Sequence, residues 1–421
     1  MRLPIAPSPT TATTLTRPRL LPLRRGPFGQ REFRLLFVGR TTSLVGNAFA
    51  NVALAFSVLD LTGSKADLGY VLAARSVPLV VFLLAGGIWS DRLPRHHVMV
   101  GSNVASGLTQ GAVAALLLSG HARIWHLAAL AALNGASAAF FFPASTGIVP
   151  QTVPRPMLQS ANALLRLGLN SSFIGGAALG GLVVGATSPG VGIAVDAASF
   201  LLAAAFIGAM RMPAALRMEG SSFVGELREG WHEFSSRPWL WAIVAQFGVV
   251  NAVEQGAENV LGPAIAKAHF GGATGWGLIL TAQSVGLIVG GLVLLRFRPD
   301  RLLLAATLGF LLTIPFLLVL SVPTALAGVV AGAAVAGIGI EVFGILWDTT
   351  IQQEIAQEKL SRVSAYDGLG SVALIPLGLA VAGPVAQAAG TRPTILGAAA
   401  LSLGATLAVL LSRDVRTIRR S

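Results

Sequence analysis

Residues 273–296 read ATGWGLILTAQSVGLIVGGLVLLR, with one charge, at the terminal Arg296, and one amide, at Gln283. At 1.5 Å of rise per residue, a helix of this length outlasts the ~30 Å hydrocarbon core of a bilayer. Helix is also the form such a stretch must take in lipid, where nothing else satisfies the backbone N–H and C=O groups. Working outward in both directions, comparable apolar runs recur. The expected spans are 35–60, 67–90, 97–119, 124–147, 160–185, 190–211, 239–264, 273–296, 301–320, 323–346, 363–386 and 391–412.

Composition agrees. Of 421 residues, 54% are hydrophobic and 11% charged, against about a quarter charged in ordinary globular domains. The mean hydropathy is +0.72. The excess of apolar side chains needs a solvent other than water, and 49 glycines suit close helix packing in lipid. Cysteine is absent, which excludes disulfides and thiolate metal sites. No Lys follows Gly as a phosphate-binding loop requires, and no H-E-x-x-H is present. The net charge of +12 is carried mainly by arginines in short loops and tails. Topology explains them better than nucleic acid does. The N-tail, the loops on the same side and the C-tail hold 23 of the 30 Lys and Arg, whereas the opposite loops hold 4. Both termini are therefore expected in the cytoplasm, with the chain in the inner (cytoplasmic) membrane.

The longest polar interruption divides the spans six and six. The expected organisation is a basic tail 1–33, a half 34–211, a linker 212–238, a half 239–412 and a tail 413–421. Gly225 to Phe234 in the linker reads as an amphipathic surface helix. A weak repeat supports the division, since Gly86-Gly87 before Arg92 recurs 204 residues later as Gly290-Gly291 before Arg296. The expected fold is an all-α polytopic membrane protein, with twelve transmembrane helices in two pseudo-symmetric six-helix halves around a central cavity.

After the second span comes Gly87-Ile88-Trp89-Ser90-Asp91-Arg92-Leu93-Pro94-Arg95-His96. This resembles the G-x-x-x-D-R-x-G-R-R signature of the major facilitator superfamily, in the loop where that family carries it. Pro94 replaces the second Gly and stiffens the turn, and His96 replaces the last basic residue. The resemblance implies a cytoplasmic gate braced by Gly87, Asp91, Arg92 and Arg95. Asn162-Ala163-Leu164, the run Gly175 to Gly181, Asp196-Ala197-Ala198-Ser199-Phe200, Leu261-Gly262-Pro263, Arg362 to Asp367 and Pro376-Leu377-Gly378 look like bacterial macrolide-efflux and enterobactin-exporter relatives. The antiporter pattern G-P-x-x-G-G of span five is altered, because Ala177 takes the Pro place. Export by alternating access is what the resemblance implies, and the burial of Glu254 and Glu341 within spans motivates the expectation that protons drive it.

Ionisable groups within spans are costly and usually face a cavity or a partner. Arg75 falls near midplane in span two, where it either attracts an anion or pairs with a carboxylate. Glu254 and Glu258 lie four apart in span seven, on one helix face, and suit a shared proton or a cationic substrate. Glu341 in span ten is a second proton-site candidate. Asn47, Asn51 and Gln283 are candidates for uncharged groups lining the cavity, with interhelical hydrogen bonding as the alternative. Phe140, Phe141 and Phe142 supply a possible apolar wall. Asp196 reads as structural, an early-turn carboxylate at the start of span six, and Asp367, Arg40 and Arg166 also read as structural. No catalytic residue, cofactor or metal ligand is expected. The proton is the expected coupling ion, and the expected partners are a small-molecule substrate and the lipid bilayer, without nucleic acid or nucleotide. Arg75 favours an anionic substrate and the glutamates a cationic one, so the sign of the substrate stays open, as do import, uncoupled facilitation and oligomeric state. A membrane-embedded lipid-modifying enzyme is a more remote alternative.

Overall fold

The computed structural model describes residues 26–212 and 223–419. Residues 1–25 of the expected tail, 213–222 of the linker and 420–421 lie outside the described residues. The N-terminal half holds α1 (Arg31–Thr62), α2 (Lys65–Arg92), α3 (Arg95–Leu118), α4 (Ile124–Gly147), α5 (Leu158–Ala186) and α6 (Pro189–Gly208). A linker helix, Phe223–Ser235, precedes the second half. There α7 comprises Pro238–Gly256, a π-helical turn Ala257–Leu261 and Gly262–His269 in one rod. It is followed by α8 (Ala273–Arg296), α9 (Leu302–Phe310 and Thr313–Ser321), α10 (Leu326–Glu354), α11 (Gln357–Val372 and Ile375–Ala389) and α12 (Thr391–Val409).

Three irregularities share a cause. Proline removes a donor and crowds the carbonyl four residues before it. Pro315 stands four after Leu311, where α9 breaks, and Pro376 four after Val372, where α11 breaks. Pro263 stands four after Asn259, inside the π turn of α7. Pro78, Pro143 and Pro384 are accommodated inside continuous helices, so proline permits a break without dictating one.

Ten of the described helices are long and apolar enough to cross a bilayer. The other two long rods are α3 and α7. Both carry unusual polarity: Ser102, Asn103, Ser106 and Gln110 are buried along α3, and α7 carries Gln246, Asn251, Glu254 and Glu258. The polar residues that lower their hydropathy are those the rest of the molecule surrounds.

Helix pairing shows the internal symmetry. In the first half α1 packs on α5 and α6, α2 on α4, and α3 on α4 and α6. In the second half α7 packs on α11 and α12, α8 on α10, and α9 on α10 and α12. Adding six to each number in the first set gives the second. The halves meet through α2 on α11 and α5 on α8, a pair of contacts that the same operation exchanges. At the latter, Gly181 and Gly277 bring backbones together, and a methyl group added to Gly277 would lie 2.8 Å from the Gly181 Cα.

The cores show how the halves are arranged. At the end away from the chain termini, one continuous apolar core takes residues from both halves, including Phe56 and Leu68 with Leu261, Trp276, Leu379 and Ile395. At the terminal end each half has its own core, around Phe33, Met99 and Ile207 in one and Leu240, Phe310 and Trp347 in the other. The apolar cores of the halves are therefore continuous at one end and separate at the other.

Candidate functional site

A cavity of about 250 Å³ lies between the halves. Its polar wall is uncharged, formed by Asn51 of α1, Asn259 of α7, and Gln283 and Ser284 of α8. Phe173 and Trp276 are its aromatic walls. Two of the candidates, Asn51 and Gln283, thus line one space. Asn47, one turn before Asn51, is turned instead toward Arg75, whose Nη2 donates to Asn47 Oδ1 at 3.5 Å. Arg75 Nε also donates to Asn134 Oδ1 of α4 at 3.0 Å. The guanidinium is thus held between α1 and α4 by two amide oxygens, and Arg75 is not among the cavity-lining residues.

Glu254 and Glu258, four apart on α7, have different polar partners. Glu254 Oε1 accepts from Thr313 Oγ1 of α9 at 3.0 Å and from Ser402 Oγ of α12 at 2.7 Å, inside the second half. Glu258 has the Gln283 side chain of α8, on the cavity wall, as its polar neighbour. The π turn begins at Ala257, between the two glutamates, and the two carboxylates remain within electrostatic reach of each other. The same turn presents Asn259, whose amide also donates to Gln255.

The remaining candidates lie elsewhere. Half-buried Glu341 sits in α10 toward the terminal end, within electrostatic reach of Arg166 and Asp348. These two join α5 to α10 across the halves at 3.3 Å, with side chains 69% and 53% exposed. In the gate signature, α2 runs to Arg92, and the side chains of Asp91 and Arg92, like the surroundings of Gly87, lie outside the described residues. Arg95 donates to the carbonyl of Gly147, the last residue of α4, where a helix C-terminus favours a cation. Phe140 stacks on Phe82 at 6.4 Å and Phe142 is exposed, so the three phenylalanines form no common wall.

For Asp196 the expected first-turn placement is corrected. The helix starts at Pro189, so this residue lies two turns inside α6, beyond the free N–H groups of the first turn. Its side chain is 0% exposed, and Oδ2 accepts from Gln110 Nε2 of α3 at 2.6 Å. Arg75 acts on it electrostatically. Asn134, Gln110, Asn259 and Trp276 are further site residues that spacing did not single out. Polarity inside otherwise apolar spans was the available signal for the first three.

A model of the Major Facilitator Superfamily matches residues 36–366. The chain belongs to this superfamily. Among characterised members, it is 29% identical over 400 residues to the multidrug efflux pump Tap of Mycolicibacterium fortuitum, covering 90% of this chain and 93% of that one. It is 22% identical over 395 residues to macrolide efflux protein A of Streptococcus pyogenes, covering 92% and 97%. The crystal structure of the nucleoside transporter NupG shares the superfamily fold with a TM-score of 0.71 at 14% identity, over 90% of this chain and 98% of that one. The chain is thus a multi-pass membrane transporter rather than an enzyme, with a small molecule as its cargo.

Proposed function

We propose that this transporter exports an amphipathic small molecule carrying positive charge, in exchange for protons bound at Glu254 and Glu258. One observation carries the reading. The ionisable group beside the cavity wall is Glu258, reached through Gln283, while Arg75 is engaged by Asn47 and Asn134. Apolar and aromatic walls with a few amides suit a largely hydrophobic solute, and an anion there would meet a carboxylate. Two efflux proteins among the relatives support the direction.

The arrangement also suits exchange. Hydroxyl groups donate to a carboxylate and accept from a carboxylic acid, so Thr313 and Ser402 serve both protonation states of Glu254. A cation entering beside Glu258 stabilises the ionised carboxylate, and its departure favours the protonated one. Substrate and proton then compete. With both termini in the cytoplasm, as the arginine asymmetry requires, the end with separate cores faces inward and the end with the continuous core outward. Alternating access consists of closing the first while opening the second.

Accumulation of cationic, neutral and anionic solutes in an efflux-deficient bacterium expressing the chain, with and without an uncoupler, tests this. The expected outcome is lower accumulation of cations, restored by the uncoupler. Higher accumulation would reverse the direction. Selective loss of an anion would overturn the assignment of the cavity, and indifference to the uncoupler would remove the protons.

A further inference from the structure

The two halves place polar groups at equivalent positions but exchange their chemistry. Asn47 and Asn51 of α1 precede Glu254 and Glu258 of α7 by 207 positions each, and Arg75 of α2 precedes Gln283 of α8 by 208. The alignment is physical as well as numerical. Gly135 of α4 packs against the Arg75 carbonyl, and Gly337 of α10 packs in the same way against the Gln283 carbonyl. By the same operation α3, which carries Gln110, corresponds to α9, which carries Thr313, and α6, with Asp196, to α12, with Ser402.

Each half therefore has a buried carboxylate where three equivalent helices meet. At the junction of α7, α9 and α12 it is Glu254, accepting from Thr313 and Ser402. At the junction of α1, α3 and α6 it is Asp196, accepting from Gln110. The two differ in satisfaction. Asp196 Oδ1 is buried with no hydrogen-bond partner. Facing it across α1 is Gly46, where an added methyl group would stand 2.8 Å from that oxygen and collide with Ser199 Oγ. A carboxylate oxygen left without a donor in such a place is costly, and a proton bound there removes the charge that makes it so.

We propose that Asp196 is a proton-binding group of the N-terminal half, distinct from Glu254 and Glu258 and electrostatically tied to Arg75. The proton adds to Oδ1, taking the side chain from −1 to 0, while Oδ2 keeps the hydrogen bond from Gln110. Among ionisable groups on the helices packed against α6, Arg40 of α1 is turned to the Ser145 carbonyl, Asp60 to Lys267, Arg95 of α3 to Gly147, and Arg166 of α5 to Asp348. Arg31 and Glu32 pair with each other at the start of α1, Arg34 bonds the Phe28 carbonyl there, and His96 and His97 stack together in the first turn of α3. Arg75, from α2, is the charge that bears on Asp196. When Asp196 is ionised the two charges compensate. When it is protonated, the guanidinium is left to the amide oxygens of Asn47 and Asn134. Asn47 stands one turn from cavity-lining Asn51, so the protonation state of α6 is felt beside the substrate.

This inference extends the proton-coupled reading, and its test is independent of transport. Infrared difference spectra of the purified full-length protein in nanodiscs are recorded across a pH series, in a Glu254→Gln/Glu258→Gln background. A carboxylic-acid carbonyl band is expected to persist there and to vanish with Asp196→Asn. Arg75→Gln should move its disappearance to higher pH by about one unit, because a compensating positive charge has been removed. If Asp196→Asn fails to fold, Asp196→Glu supplies the same reading through a displaced band. A spectrum unchanged by either substitution at position 196, or a band indifferent to Arg75→Gln, overturns the proposal. A band that behaves as expected in a protein whose transport ignores uncouplers would sink the exchange mechanism and leave the proton site standing.

Discussion

The N-terminal half balances its buried charge and the C-terminal half does not. In the first, a guanidinium and a carboxylate occupy the same interior, with amides from α1, α3 and α4 around them. In the second, two carboxylates share α7 with hydroxyls and an amide for company. An ionised carboxylate without a cation is expensive inside a membrane protein, so the second half has the stronger physical demand for protons or a positively charged guest. Symmetry of helix packing has been kept while the chemistry at equivalent positions has diverged. The C-terminal half is where coupling to a cationic substrate is expected, and the N-terminal half is where charge can be stored.

The substitution that should break this comparison most severely is Glu258→Gln. It removes the ionisable group beside the cavity and leaves its shape. Efflux of cationic solutes should fall about tenfold or more, equivalent to ~1.4 kcal/mol, while neutral solutes of similar size are affected much less. Equal loss for both would show that Glu258 does not read charge. Next in size is the pair Thr313→Val and Ser402→Ala, which strips Glu254 of its two donors. Hydrogen bonds to charged groups contribute roughly 1.5–3 kcal/mol each. The double variant should therefore shift the pH dependence of transport by more than one unit relative to the wild type, and an unshifted profile would remove Glu254 from the coupling path. Arg75→Gln is expected to do less to selectivity than to coupling. If instead it converts a cation exporter into one that refuses nothing, the guanidinium faces the cavity after all.

Much of the fold could be read in advance, because lipid leaves few options for an apolar run. The estimates for spans four and eight, 124–147 and 273–296, coincide with the ends of α4 and α8. The breaks in α9 and α11 were not anticipated, although Pro315 and Pro376 carried the signal. The site was legible as residue types more than as geometry. Asn51 and Gln283 meet at the cavity, but their neighbour Asn47 belongs to the Arg75 cluster. The different partners of Glu254 and Glu258 come from the helices packed against α7, which spacing by fours cannot reveal. The depth of Asp196 escapes the sequence for a plainer reason. Its place near the start of an apolar run suggested a helix end, whereas α6 begins seven residues earlier and seals the side chain among α1 and α3.

The smallest expected effect lies outside both junctions, where the linker helix rests on the second half. Glu233 meets Arg237 at 2.5 Å and Lys359 of α11 at 2.8 Å, while Trp231 and Phe234 pack on Tyr366. The hydrogen bond from Lys359, then that from Arg237, holds the Glu233 carboxyl below the usual carboxylate range. A carboxyl lowered in the folded protein contributes stability that is complete above its ordinary range, and the contribution disappears as pH falls through the lowered one. Glu233→Gln should therefore cost less than about 1 kcal/mol near neutrality, as partly exposed ion pairs do. Its thermal midpoint should converge on that of the wild type at acid pH. Hydrogen exchange in residues 223–235 should rise in the variant while that of α7 and α8 stays unchanged. A change that spread into the cavity helices would mean that the linker helix belongs to the coupling machinery of the second half, and the contrast between the halves would then have to include it.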